Sequence, residues 1–293
     1  MAIIDEIRKS FKGGSSLIKL IYINLAVWII MNIIEIFFYL TNTHDSYMKF
    51  LLYLALPADL NNLLHKPWTL ITYMFLHKRF FHILFNLLWL YWFGRIFLQY
   101  LDEKKLVGVY LLGGLSGGLL YILTYNIFPV FSGELALSHC LGASAAVMAI
   151  VIATAVNTPN YYINLMFIGP VKIIFIALIV FAATSLFDFT LNTGGKIGHI
   201  GGALFGYLYI LRYRSGKDMT KGISRLLDGL FSLFKPRPKV RVTHRRFEDD
   251  MEYNRRKKDE QAEIDRILDK IAKSGYDSLS SKEKEILFRQ SKK

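Results

Sequence analysis

The chain has one cysteine, Cys140, in 293 residues. That scarcity excludes an intramolecular disulfide and leaves no cysteine cluster for zinc, while the redox compartment stays open. No repeat of fixed period runs through the sequence. Charge is sparse over the first 213 positions, where apolar residues gather into long runs, and dense over most of the remainder. Slightly over half of the residues are hydrophobic, 53%, and 15% are aromatic. This asymmetry predicts a membrane domain followed by an aqueous tail. The formal charge of +13 would suggest nucleic acid if averaged over the chain. Much of the excess instead sits in the tail and in short loops beside apolar runs, which is how a chain orients itself in a bilayer, and no nucleic-acid partner is expected.

The opening MAIIDEIRKSFKGGSS carries Ile3, Ile4, Ile7 and Phe11 at helical spacing between charges, as in a short helix lying on a membrane surface. It does not read as a signal peptide: Asp5 and Glu6 interrupt its basic region, no small-residue cleavage site follows the next apolar run, and that run is long enough to span. Crossing the hydrocarbon takes roughly 20 apolar residues. Six runs are read as spans, at 18–40, 80–100, 105–128, 142–157, 171–190 and 197–213. The fourth is too short to cross alone, so other helices must sheathe it, and it starts at membrane depth from the irregular stretch 129–141. The expected fold is an all-α integral membrane protein, a six-helix bundle with a short buried fourth helix. Residues 1–16 form an amphipathic interfacial segment, 17–213 the membrane domain and 214–293 a basic, partly helical cytosolic tail. Arg8, Lys9, Lys12 and Lys19, then Arg95, Lys104 and Lys105, then Arg212, Arg214 and Lys217 fall on one side, which predicts cytoplasmic termini, although Lys78 and Arg79 lie opposite.

Between the first two runs, segment 41–79 is too long for a simple connection and is expected to rest partly in the interface, with Trp68 and Tyr73 at headgroup level. The tail opens on the amphipathic ISRLLDGLFSLF, breaks at KPRPK and continues with RPKVRVTHRR and NRRKK. Solvation with some attraction to anionic lipid is expected of those basic blocks, and a cytosolic partner for the tail stays open. Ile264, Leu268, Ile271 and Ala272 keep helical spacing, and Ser280 with Glu283 forms a capping-box pattern.

Strongly polar groups at bilayer depth cost a few kcal/mol each and are functional candidates by default. They are Glu35, His82, Asn86, Ser144, Asp188 and His199. His82 and Asn86 stand four apart, on one face of the second run. The plainer reading of that pair is packing hydrogen bonds between helices. Ser144 opens the short fourth run, where free backbone N–H groups and the helix dipole favour negative charge; alone, it would be read as a helix cap. His199 opens the sixth run, beside Gly198, Gly202 and Gly206 at four-residue intervals. If that stripe meets the small stripe Ala145, Ala149 and Ala153, Ser144 and His199 come together. A serine and a histidine on touching helices are the minimum for nucleophilic acyl transfer. The Ser144 N–H, the His82 ring and the Asn86 amide would supply oxyanion donors.

Over roughly residues 17–213 the sequence resembles the rhomboid family of intramembrane serine proteases. HKRFFHILFN looks like its histidine-and-asparagine element, GAS at 142–144 like its nucleophile motif and GHIGGALFG at 198–206 like its base motif. The resemblance implies Ser144 as nucleophile, His199 as base, and His82 and Asn86 as oxyanion donors. It implies a mechanism without metal or other cofactor, acting on transmembrane protein substrates amid membrane lipid, and a bacterial inner membrane is the expected location. His77 would lie near the mouth of the site, and the fifth span would be a lateral gate. Ala145 stands where glycine is usual, Met148 where an aromatic often stacks on the base, and Thr69 where arginine is common. The alternative is a rhomboid-like binding or chaperoning protein without protease activity; a transporter is disfavoured because the two halves show no internal symmetry.

Overall fold

A computed structural model describes residues 13–234 and 250–290. The amphipathic opening, with Ile3, Ile4, Ile7 and Phe11, lies outside the described residues, as do KPRPK and RPKVRVTHRR. The chain divides into two compact units, Met1–Lys235 and Pro236–Lys293.

In the first unit α1 (Ser16–Leu40) leads into a run of short elements: α2 (His44–Leu54), β1 (Leu56–Pro57), α3 (Leu60–His65) and α4 (Thr69–Thr72). Two long helices follow, α5 (Phe80–Tyr100) and α6 (Glu103–Ile127), the second started by Asp102, whose carboxylate accepts from the Lys105 N–H at 2.9 Å. Then come β2 (His139–Cys140), α7 (Ser144–Asn157), the hairpin β3 (Tyr162–Leu165) and β4 (Gly169–Lys172), α8 (Ile173–Ser185), α9 (Thr193–Arg214) and the amphipathic α10 (Lys221–Phe234). Among the described residues α1, α5 and α6 are long and apolar enough to cross a membrane, while α7 and α8 are apolar but short.

The packing turns on α7, of whose 14 residues 11 are buried. It is held between α6 and α9 by contacts that admit no side chain. A Cβ at Gly202 would collide with the Ala145 carbonyl oxygen and one at Gly206 with that of Ala149, so α9 lays its bare backbone on α7. The glycine stripe of α9 thus meets the alanine stripe of α7 at two of its positions, whereas a Cβ at Gly198 would sit 3.9 Å from Ala145 Cβ, an ordinary contact. From the other side α6 contributes Gly113 against Ala149 and Gly117 against Ala145, and a Cβ at Gly201 would come within 2.8 Å of Gly117 Cα. The Ser116 hydroxyl bridges α6 to α9 by donating to the Gly201 carbonyl at 3.0 Å. The run GGLSGG at 113–118 is therefore the third side of a three-helix junction that the α7 and α9 stripes alone do not reveal.

Three expectations need correction. Tyr73 does not present its side chain to the membrane interface: it is 1% exposed and its hydroxyl donates to the Gly114 carbonyl at 2.6 Å. Trp68 is exposed, with its indole N–H donating to Tyr53 O at 2.9 Å. The fifth run, read as 171–190, opens as the edge of a hairpin, because Gly169 at φ 88° turns the chain and Lys172 pairs with Tyr162. It ends at Ser185, since Asp188 and Asn192 both take left-handed backbone in the turn that follows. Asp188 therefore stands exposed in a turn and not within a span. The buried Lys196 ammonium donates to the Phe187 and Asp188 carbonyls and so ties that turn to the start of α9.

In the second unit α11 (Asp250–Ser274) and α12 (Ser281–Gln290) fold back on each other, with Ile267 and Leu279 buried. Ser280 and Glu283 cap each other: the Ser280 N–H donates to the Glu283 carboxylate at 2.7 Å, and the Glu283 N–H to Ser280 Oγ at 3.4 Å. Lys270 on α11 reaches the same carboxylate at 3.0 Å. Residues 250–290 carry ten Lys or Arg and ten Asp or Glu, so the net positive charge of the tail lies outside them, in 214–249 and in Lys292 and Lys293.

Candidate active site

Ser144 is positioned by a backbone with no freedom left. Residues 139–140 pair with β1, Leu56 opposite Cys140 and Pro57 opposite His139, and the Gly142 N–H donates to Tyr73 O at 2.9 Å. Gly142 then adopts φ 132°, a conformation that L side chains rarely take, and a Cβ there would lie 2.8 Å from His82 Cε1. Only glycine lets the chain pass so close to that imidazole before α7 begins. The Ncap residue is Ala143, and no side chain caps the helix, so Ser144 occupies the first helical position. The serine is not the cap that its place in the sequence would suggest, and its N–H has no acceptor within the helix.

A cavity of about 460 Å³ opens here, with Ser144, His199, His82 and Asn86 all in its wall. Met148, Phe85, Trp89 and Val180 supply apolar surface, while Arg79, Thr184 and Asn192 add polar groups. The cavity is chiefly apolar with a few convergent polar groups, the usual character of a ligand site. Glu35 and Asp188 take no part in it; the Glu35 side chain is engaged by the Tyr47 hydroxyl.

His199 is oriented by the end of a different helix. Its Nδ1 lies 3.2 Å from the Thr184 carbonyl oxygen in the last turn of α8. A carbonyl can only accept, so Nδ1 carries the proton and Nε2 keeps its lone pair, as a general base requires. Residue identity gives no hint of Thr184, because it acts through a backbone oxygen that any residue carries. Among the described residues no hydrogen bond joins Ser144 to His199, and catalytic contacts are often long in an unliganded site.

On the opposite wall Asn86 is buried and its amide donates to the His82 carbonyl at 2.8 Å, which leaves one of its two hydrogens for the cavity. His77 does not lie at the mouth. It is buried behind His82, with ring centroids 5.2 Å apart at 65°, and accepts from the Ala143 N–H at 3.4 Å through Nε2 while Nδ1 faces Phe75 O at 3.3 Å. Its contacts brace the turn that carries Ser144.

Fold and site together define a helical membrane protein with a serine, a histidine and amide donors around one cavity. The Rhomboid domain family matches residues 64–215, over half of the chain, and the protein belongs to the rhomboid family. A second family, of unknown function (DUF6576), matches residues 249–293. No match to the chain is found among curated proteins.

Proposed function

We propose that this protein is an intramembrane serine endopeptidase that cleaves transmembrane segments of other membrane proteins. The observation that carries the reading is the convergence of Ser144, His199, His82 and Asn86 on one cavity, with the His199 Nδ1–H committed to Thr184 O. Nε2 then takes the Ser144 proton as Oγ attacks the scissile carbonyl, and returns it to the leaving amine. The Ser144 N–H, the His82 ring and the second Asn86 amide hydrogen receive the oxyanion, and each such donor is worth about 3 kcal/mol in the transition state. In this reading α1, α5, α6, α7, α8 and α9 form a six-helix bundle with cytoplasmic termini, placed in a bacterial inner membrane. The short α7 sets the nucleophile below one membrane face, and α8 is the lateral gate.

The test is cleavage of single-span substrates by the reconstituted protein. Ser144→Ala and His199→Ala are expected to abolish product while leaving the thermal unfolding midpoint unchanged. Product from both variants would refute the assignment. A second reading, a binding or chaperoning relative without protease activity, draws on the missing Ser144–His199 hydrogen bond. It predicts that the parent captures transmembrane helices and never cuts them.

A further inference from the structure

Trp89 lines the Ser144 cavity and also a second one, of about 580 Å³, farther along α5. This second cavity is bounded by α5 residues from Trp89 to Gln99, by residues 161–165 at the hairpin and by Ile176 near the start of α8. It sits at the end of the bundle away from Ser144, since α7 runs about 21 Å from the serine towards the hairpin. The two cavities thus occupy opposite ends of the space between α5 and α8.

The formal charge lining the second cavity is of one sign. Arg95, Gln99, Asn164, Trp92 and Tyr162 bring N–H and O–H donors, and no Asp or Glu takes part. Arg95 donates to the Tyr91 hydroxyl at 3.2 Å, and among the described residues no carboxylate comes within 4.0 Å of it. The side chains of Gln99 and Asn164 have no hydrogen-bond partner among the described residues. A second cation stands at the rim, the Lys172 ammonium, 5.9 Å from the Tyr162 ring centroid. The remaining wall is apolar. Uncommitted donors beside two cations call for an anion, and apolar and indole surface around them calls for an anion that carries hydrocarbon.

We propose that this cavity seats an anionic phospholipid, with Arg95 on the phosphodiester, Gln99 and Asn164 on its free oxygens, and the acyl chains along the exposed apolar surface between α5 and α8. A free phosphate would leave the apolar wall uncovered. The site depends on the protein being in a bilayer and not on the protease reading, so the two stand or fall separately.

The experiment uses full-length protein carrying Trp28→Phe and Trp68→Phe, so that emission comes from Trp89 and Trp92, in phosphatidylcholine nanodiscs. A minor fraction of brominated phosphatidylglycerol is compared with the same fraction of brominated phosphatidylcholine. The anionic lipid is expected to quench at about fivefold lower mole fraction, the effect of one cation near a headgroup. Arg95→Gln with Lys172→Gln should bring the two lipids to parity, while Arg225→Gln, an exposed cation outside the cavity, should leave the preference intact. Equal quenching in the parent, or a preference that survives removal of both cations, would overturn the proposal. So would loss of quenching on adding inorganic phosphate or an acidic peptide, since the site would then take a water-soluble anion.

Discussion

Helices α7 and α8 are both short and both almost entirely apolar, with 14 and 13 residues, yet they lie in opposite surroundings. In α7 11 positions are buried; in α8 only Ile173, Ala177, Val180 and Ser185 are. Hydrophobicity does not separate them. Side-chain size does: Ala145 and Ala149 let α7 approach the glycines of α6 and α9 to backbone contact, while Phe175, Leu178 and Ile179 of α8 point outward. In a bilayer outward apolar residues meet lipid, which is as apolar as a core, so close packing and not burial of apolar area selects the central helix. The contrast suits the proposed division of labour, with the nucleophile on the enclosed helix and the gate on the more exposed of the two.

The contrast can be broken most severely at its tightest contact. Gly202→Leu would drive a side chain into the Ala145 carbonyl, and thermal unfolding in detergent is expected to show a loss of at least about 3 kcal/mol. A matched pair sharpens it. Ile150→Ala in α7, at 0% exposure, should cost about 2–5 kcal/mol, whereas Ile179→Ala in α8, at 67% exposure, should stay within about 0.5 kcal/mol. Equal costs would mean that α8 is packed as firmly as α7. Lys196→Met removes the cation from the Phe187 and Asp188 carbonyls and is expected to cost about 1.5–3 kcal/mol, with faster amide exchange in the turn 186–192. The smallest effect belongs to the second unit, which lacks such packing. The Ser280 N–H, with the Lys270 ammonium, holds the Glu283 carboxyl down to about 2. A lowered carboxyl stabilises the cap above its ordinary range near 4.5, and that contribution fades as pH falls from there towards about 2. Amide protection in the first turn of α12 should follow that window in the parent and be lost in Glu283→Gln at neutral pH.

Much of this was legible beforehand because it depends on local pattern. The apolar run at 80–100 is α5 to the residue, and those at 18–40 and 105–128 differ from α1 and α6 by two residues at most. The capping pair at Ser280 could be read because its partners are three residues apart. Segment 41–79 misled because Tyr73 has the amphipathic character of an interface residue, and only a distant acceptor, the Gly114 carbonyl, draws it inside. The hairpin at 162–172 is not legible in the sequence because its strands are four residues each, too short for a period of two to stand out from the apolar run that follows.

By itself the sequence determined which residues are candidates for the proposed chemistry: Ser144 and His199 are visible because a polar group in an apolar run has few other reasons to be there. Only the tertiary structure decided how Ser144 is placed. It set the left-handed Gly142 before it, left its side chain off the cap and aimed a carbonyl from α8 at His199 Nδ1. Those outcomes depend on backbone atoms brought together from distant parts of the chain, and backbone atoms are the same in every residue.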